Sequence, residues 1–178
     1  MRKILLNLAV SLDGYIEGPN GEFDWCFTDQ DYGMKAFLDS VDAIFFGRKS
    51  YELMLTMEGD QFPHQKKYVF SNTLQSVQEG WTLVKGHLES EVHEIIQEEG
   101  KDIWMFGGAS LIASFMQFDL IDELMLAVHP ILLGSGKFLY PELPERKHLT
   151  LLKAKEYSSG LVHLIYDLKR RDLSDLLK

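Results

Sequence analysis

Six consecutive residues, Gly47-Arg48-Lys49-Ser50-Tyr51-Glu52, carry the chemistry most easily read from this chain. They follow the apolar run Ala43-Ile44-Phe45-Phe46, which predicts a short strand, and they lead into a stretch of helical composition. A strand that ends in glycine and turns into a helix leaves backbone N–H groups free in the first helical turn, and here Arg48 and Lys49 add positive charge. That combination can hold a phosphate. Gly47 lets the backbone pass close to a ligand, Arg48 offers a planar donor fork, and Ser50 can bond a phosphate or its own helix N-terminus. Phe106-Gly107-Gly108-Ala109-Ser110 has the same strand-then-helix form. Two such corners point to a cofactor with phosphates. Neither matches the glycine fingerprint of doubly wound dinucleotide folds or a loop ending in Gly-Lys-Ser/Thr, and each alone also reads as a plain helix cap. Ser71-Asn72-Thr73, after another strand, is a third polar corner whose simplest role is a turn.

A second group of residues could face a substrate. Asp24, Asp29 and Asp31 flank an expected helix, and one of them could hold or protonate a nitrogen heterocycle. Asp29 is a natural helix cap, which leaves Asp31 as the stronger candidate for chemistry. Trp25 could line a planar ligand or belong to the core. Asp13, in Ser11-Leu12-Asp13-Gly14, reads first as a turn former that accepts local backbone N–H groups. His129 ends an apolar strand, where a cleft wall and a hydrogen-bonded structural role are equally open. The six histidines show no paired ligand spacing, so no metal site is expected. Nothing near Cys26 activates it as a nucleophile.

Positioning these groups requires a folded core, and 178 residues with 46% hydrophobic and 25% charged composition supply one domain, expected to span residues 1–178. The formal net charge of -9 argues against a nucleic-acid partner, and Lys169-Arg170-Arg171 is too short to reverse it. No stretch reaches the ~20 apolar residues that span a bilayer, and the single cysteine fits a reducing compartment, so a cytoplasmic location is expected.

Apolar runs predict strands at Lys3–Val10, Ala43–Phe46, Lys67–Ser71, Thr82–Lys85, Asp102–Phe106 and Ile121–His129. Helices are expected at Asp29–Leu38, Ser50–Met57, Glu89–Glu98 and Ala109–Gln117. Leu149–Tyr157 and Leu161–Leu168, separated by Ser158-Ser159-Gly160, read as a hairpin. The charged tail beyond Leu168 reads as a short helix or a frayed end. Alternating strands and helices predict a three-layer α/β/α domain with a mostly parallel, mixed sheet finished by an antiparallel C-terminal hairpin.

The ordered set of Ala9-Val10-Ser11-Leu12-Asp13-Gly14-Tyr15-Ile16, Phe46 to Glu52, Phe106 to Leu111, Leu120-Ile121-Asp122-Glu123-Leu124 and Pro130 to Leu139 resembles the dihydrofolate-reductase-like superfamily. Within it, the chain is most similar to the reductase domain of bacterial riboflavin biosynthesis and its stand-alone relatives. The resemblance implies NADPH lying across the carboxyl ends of the strands. Ala9 and Val10 would meet the nicotinamide carboxamide and Ile16 would cover the ring. Gly47, Arg48, Lys49 and Ser50 would hold phosphates, Ser71 and Asn72 would sit near the adenosine, and Gly107, Gly108, Ala109, Ser110 and Leu111 would approach the pyrophosphate. Trp25, Asp31 and Tyr51 would meet a small heterocyclic substrate, with Asp31 the catalytic candidate. The implied reaction is hydride transfer to a pteridine or ribosylamino-pyrimidine, and the implied assembly is a homodimer. A diverged flavin- or quinone-type reductase and a non-catalytic nucleotide-binding protein remain alternatives. Two features depart from the riboflavin-type pattern: no cationic pair for a ribosyl phosphate stands out, and the fused deaminase with its zinc-binding His and Cys pattern is missing.

Overall fold

The computed structural model describes residues 1–140, 143 and 145–168. The expectation for the tail beyond Leu168 lies outside the described residues. Six strands run parallel: β1 (Ile4–Ser11), β3 (Val41–Gly47), β4 (Lys66–Phe70), β5 (Trp81–Val84), β6 (Asp102–Gly107) and β7 (Glu123–His129). The hairpin β9 (Thr150–Glu156) and β10 (Val162–Asp167) adds two antiparallel strands, giving the order β5-β4-β3-β6-β1-β7-β10-β9. A separate two-stranded ribbon joins β2 (Tyr15–Glu17) to β8 (Lys137–Phe138).

The strands read as unbroken apolar runs because both sheet faces are covered. Phe45 and Phe46 are adjacent, fully buried, and belong to cores on opposite faces. One face packs Phe37 of α1 (Met34–Ser40) and Tyr51 and Met54 of α2 (Arg48–Met54) against Leu5, Ile44, Val69 and Trp104. The other packs Val92 and Ile95 of α3 (Leu88–Gln97) and Ile112, Phe115 and Met116 of α4 (Ala109–Gln117) against Ile4, Leu6, Phe45 and Met105. This is the three-layer α/β/α arrangement with a mixed sheet.

Two elements differ from the sequence reading. The first helix begins at Met34 and not near Asp29. Tyr32 and Gly33 take positive φ values of 49° and 89°, which no right-handed helix accommodates. Asp29 does not cap the helix; its carboxylate accepts the Tyr32 hydroxyl at 2.7 Å. The β2–β8 ribbon is additional, its strands being three and two residues long.

Candidate functional site

Because their strands are parallel, Ser11, Gly47, Phe70, Gly107 and His129 all end at one edge of the sheet. The two glycine corners meet there. A Cβ built on Gly47 would lie 3.3 Å from the Gly108 nitrogen, 3.5 Å from the Gly107 carbonyl oxygen and 3.4 Å from the Leu111 Cβ. A Cβ on Gly108 would lie 3.3 Å from the Ser50 Oγ. Side chains at either position would press into the facing corner, so backbone-to-backbone contact is what permits α2 and α4 to start side by side. The Gly107–Gly108 peptide bond is cis.

The joined corners floor an open cleft of about 630 Å³, lined by Gly47, Arg48, Lys49 and Ser50 from one side and by Gly108, Ala109, Ser110 and Leu111 from the other. Its far wall contains Glu17, Phe23 and Lys137, which local sequence did not single out. Lys137 Nζ donates to the Glu17 carboxylate at 3.2 Å, tying β8 to β2 beside the cleft. Arg48 donates to Glu52 one turn along α2 at 3.0 Å, with both side chains about half exposed. Ser71 and Asn72 line a smaller cleft of about 200 Å³. It shares Phe70, Leu111 and Ser114 with the larger one, so the two adjoin. Asn72 accepts the Gly86 N–H at 3.0 Å and Ser71 Oγ accepts the Leu74 N–H at 3.2 Å, so both side chains also shape their own loop.

The loop leaving β1 is held from a distance. Ser11 Oγ donates to Asp13 at 2.6 Å, while the Asp13 carboxylate accepts the N–H groups of Leu133 and Gly134 at 3.1 and 2.8 Å. Asp13 therefore clamps the β1 exit to the segment following β7, beyond the local turn the sequence indicates. The Ser11 hydrogen bond, followed by those backbone donors, holds its carboxyl below the usual carboxylate range despite some desolvation.

His129 is structural. It is buried, its Nδ1 contacts the Ala127 carbonyl at 2.9 Å, and its Nε2 accepts the Phe27 N–H at 3.1 Å. That pattern requires a neutral ring with the proton on Nδ1. Burial, partly offset by the Ala127 bond, pushes its pKa down. Trp25 packs edge-on against this ring, 5.2 Å between centroids, and lines neither of the clefts beside the glycine corners. Burial, then Asp24, pushes the Cys26 thiol up to about 11, which leaves it inert as a nucleophile at neutral pH.

Of the remaining sequence-derived residues, Ala9 and Val10 lie just before the last residue of β1, with Val10 in the core. Ile16 packs against the same core from β2. Tyr51 is buried against Trp81, and its hydroxyl accepts the Gln78 N–H at 2.9 Å; it lies in the core and lines neither of the clefts beside the glycine corners. Asp31 lies apart from both clefts beside the glycine corners. Its carboxylate accepts the Gly33 and Lys35 N–H groups at 3.1 and 2.9 Å, and it lines a third cleft of about 510 Å³ on the α1 side of the sheet. Among the described residues, no group of three or more His, Cys, Asp or Glu side chains gathers to hold a metal ion. No described helix is long and apolar enough to cross a membrane.

Comparison with known proteins agrees with this architecture. Residues 2–163 match the model of the RibD C-terminal domain. The chain is 39% identical to the uncharacterized protein YyaP of Bacillus subtilis (strain 168), covering 93% of this chain and 94% of that protein. It superposes with a TM-score of 0.84 and 31% identity on a provisionally named riboflavin biosynthesis protein from Shewanella sp. PV-4, covering 96% of this chain and all of the other. A Thermotoga maritima diaminohydroxyphosphoribosylaminopyrimidine deaminase/5-amino-6-(5-phosphoribosylamino)uracil reductase shares the fold at a TM-score of 0.73 and 11% identity, with 94% of this chain covering 57% of that one. The matched family spans both glycine corners, the clamped β1 exit and the shared strand edge: this chain belongs to the RibD C-terminal domain family.

Proposed function

We propose that this protein is an NADPH-dependent oxidoreductase that transfers hydride to a small heterocyclic substrate, in the manner of 5-amino-6-(5-phosphoribosylamino)uracil reductase or dihydrofolate reductase. The observation that carries the reading is the contact of the Gly47 and Gly108 corners, which floors one cleft adjoining the Ser71–Asn72 cleft. The donors in that cleft suit a dinucleotide. Arg48, Lys49 and Ser50 would face phosphate oxygens, the first turn of α4 would offer backbone N–H groups, and Ser71 and Asn72 would flank the adenosine. Two cations beside a helix start favour NADPH, with its additional phosphate, over NADH.

When bound, the reduced nicotinamide supplies the hydride. The chain's own task is alignment. Ala9 and Val10, at the end of β1, would receive the carboxamide edge, and the Asp13 clamp fixes where that strand end lies. Asp31 would hold a ring nitrogen of the heterocycle and the proton associated with it; its two backbone donors orient the carboxylate for this.

The reading includes a homodimer, supported by the partly exposed apolar side chains Leu126, Val128, Leu164 and Tyr166 on the β7–β10 face and by exposed Leu151 on β9. Sedimentation at micromolar concentration tests it, and a monomer refutes that part. The cytoplasm is the expected compartment.

Binding of NADPH and NADH, followed by fluorescence or calorimetry, tests the central reading. NADPH is expected to bind more tightly, and Arg48→Ala is expected to weaken it by about tenfold, the size of one charge-assisted hydrogen bond. The Arg48–Glu52 pair is exposed, so its loss contributes only about 0–1 kcal/mol to stability and does not account for a tenfold binding effect. Equal or absent binding of the two nucleotides overturns the assignment.

A further inference from the structure

Glu17 is the one carboxylate among the described residues that line the cleft beside the glycine corners; the other charged groups there are Arg48, Lys49 and Lys137. An acid on the wall of a cleft that receives phosphates opposes binding unless it has a task of its own. The local structure shows how it comes to be there. β2 and β8 run antiparallel, with Phe138 opposite Tyr15. A regular ladder would then set Lys137 opposite Ile16, whose side chain packs against the core. Instead the register shifts between Tyr15 and Glu17, and Lys137 faces Glu17. The additional residue on β2 is a bulge, a feature that re-aims side chains. It brings Lys137 Nζ within 3.2 and 3.4 Å of the two Glu17 carboxylate oxygens, beside the cleft.

The ribbon does not depend on that ion pair. The Leu139 N–H donates to the Gly14 carbonyl at 3.0 Å, Tyr15 stacks on Phe138 with 4.2 Å between ring centroids, and Asp13 holds Leu133 and Gly134. A Cβ built on Gly136 would collide with the Glu17 carbonyl oxygen, so close backbone approach is what joins the two strands here. The Lys137 and Glu17 side chains keep 39% and 36% of their surface exposed, and ion pairs this open to water contribute little to folding.

Both side chains are therefore able to change partner. A lysine ammonium is a point charge with three donors on a flexible stem. Beside a diphosphate, Lys137 meets at least two negative charges in place of one, while Glu17 is left against water and not stranded in the interior. Arg48, on the opposite wall, pairs with Glu52, which does not line the cleft. Of the two ion-paired cations there, Lys137 alone has its competing acid on the cleft wall itself.

We propose that Lys137 is a third cationic ligand of the dinucleotide, directed at its diphosphate, and that Glu17 holds it in reserve, so that the cofactor binds by displacing Glu17 from Lys137. The inference rests on the reductase reading for the identity of the ligand. Glu17 thereby sets how tightly the cleft holds its occupant, and the acid acts against binding by competition for one lysine.

Calorimetry with NADPH and with ADP-ribose, which carries a diphosphate but no nicotinamide, tests the exchange. Lys137→Met keeps the length of the stem and is expected to weaken both ligands by about tenfold, the size of one charge-assisted hydrogen bond. Glu17→Gln keeps the shape of the acid and is expected to tighten both by about threefold, the size of one exposed ion pair. In the Lys137→Met background the gain from Glu17→Gln should shrink, because no lysine remains to be released. A pair that only braces the ribbon would give losses from both single variants, and that result overturns the proposal. An equal gain from Glu17→Gln in both backgrounds would mean plain repulsion of the ligand by the acid, and it overturns the exchange as well. NADPH bound tightly with neither variant altering its affinity keeps the reductase reading and removes the exchange. Opposite responses of the two variants with ADP-ribose, in a protein that does not bind NADPH, keep the exchange and remove the reductase reading. Binding of neither ligand overturns both.

Discussion

Gly47 and Gly108 are in backbone contact: a methyl group on the first would come within 3.3 Å of the nitrogen of the second. Residues from strands that are neighbours in space, but about sixty positions apart in sequence, thus form one floor. Gly47→Ala is expected to push the β6–α4 corner away by a few tenths of an ångström. Stability should fall by about 1–3 kcal/mol, the usual cost of overpacking, while NADPH affinity falls by tenfold or more because several donors move together. Thermal unfolding and nucleotide titration of the same sample check both halves. Unchanged affinity in a destabilised protein would separate the corner from cofactor binding.

Asp31→Asn addresses the chemistry. The amide oxygen can keep the Lys35 N–H bond in the first turn of α1 while the NH2 replaces the oxygen that accepts Gly33, so one of the two bonds is retained and the helix is expected to persist. Turnover of a pteridine or pyrimidine substrate should fall by about a hundredfold, within the range for a proton-handling group, with NADPH affinity unchanged. Steady-state rates equal to wild type would remove Asp31 from the reaction.

Acid should loosen the β1 exit through Asp13. Its folded pKa lies below the ordinary 3.8, so its stabilisation is present above that value and is lost as pH falls through the lower folded pKa. Asp13→Asn removes this dependence. Hydrogen exchange at the Leu133 and Gly134 amides is the direct readout, and both should exchange faster in the variant at neutral pH. Equal protection in the two proteins would show that the clamp is redundant.

His129 gives a second pH response in a different window. Its folded pKa is below 6.5 because burial disfavours the imidazolium. Its neutral form costs nothing above pH 6.5; below that, folding loses stability progressively until the folded pKa is passed. Protonation also ends the bond that Nε2 accepts from Phe27. Trp25, edge-on to the ring, should report the change as altered fluorescence between neutral pH and about pH 5, and Trp25→Phe should abolish the signal. A response that survives Trp25→Phe would have to come from Trp81 or Trp104.

The strands, the helix-bearing corners and the terminal hairpin were legible because burial on both faces turns each central strand into an apolar run ended by glycine or a polar corner. The convergence of residues 47–50 with 108–111 was legible as well, since parallel strands followed by helices present their carboxyl ends together. What sequence did not reveal depends on distant partners. The start of α1 is set by left-handed backbone at Tyr32, itself fixed by its hydroxyl, which donates to Asp29 and accepts from Ser159, and by the bond from Tyr157 to its carbonyl. The partners of Asp13 lie 120 and 121 positions away. Strands of two or three residues, such as β2 and β8, are too short for periodicity to register. Lys153 and Lys155 show the alternation of one strand face, but a register shift opposite Ile165 and Tyr166 decides what shares that face.

Strand β9 is the last in the sheet order, so one side of its backbone meets no further strand among the described residues. It carries Thr150-Leu151-Leu152 and then a lysine at every second position, 153 and 155. An uncharged apolar edge of this length would template intermolecular β-pairing, and regularly spaced ammonium groups oppose it by mutual repulsion between copies. The same two side chains would then guard colloidal solubility during synthesis and folding, a selective pressure that operates whether or not any ligand is present.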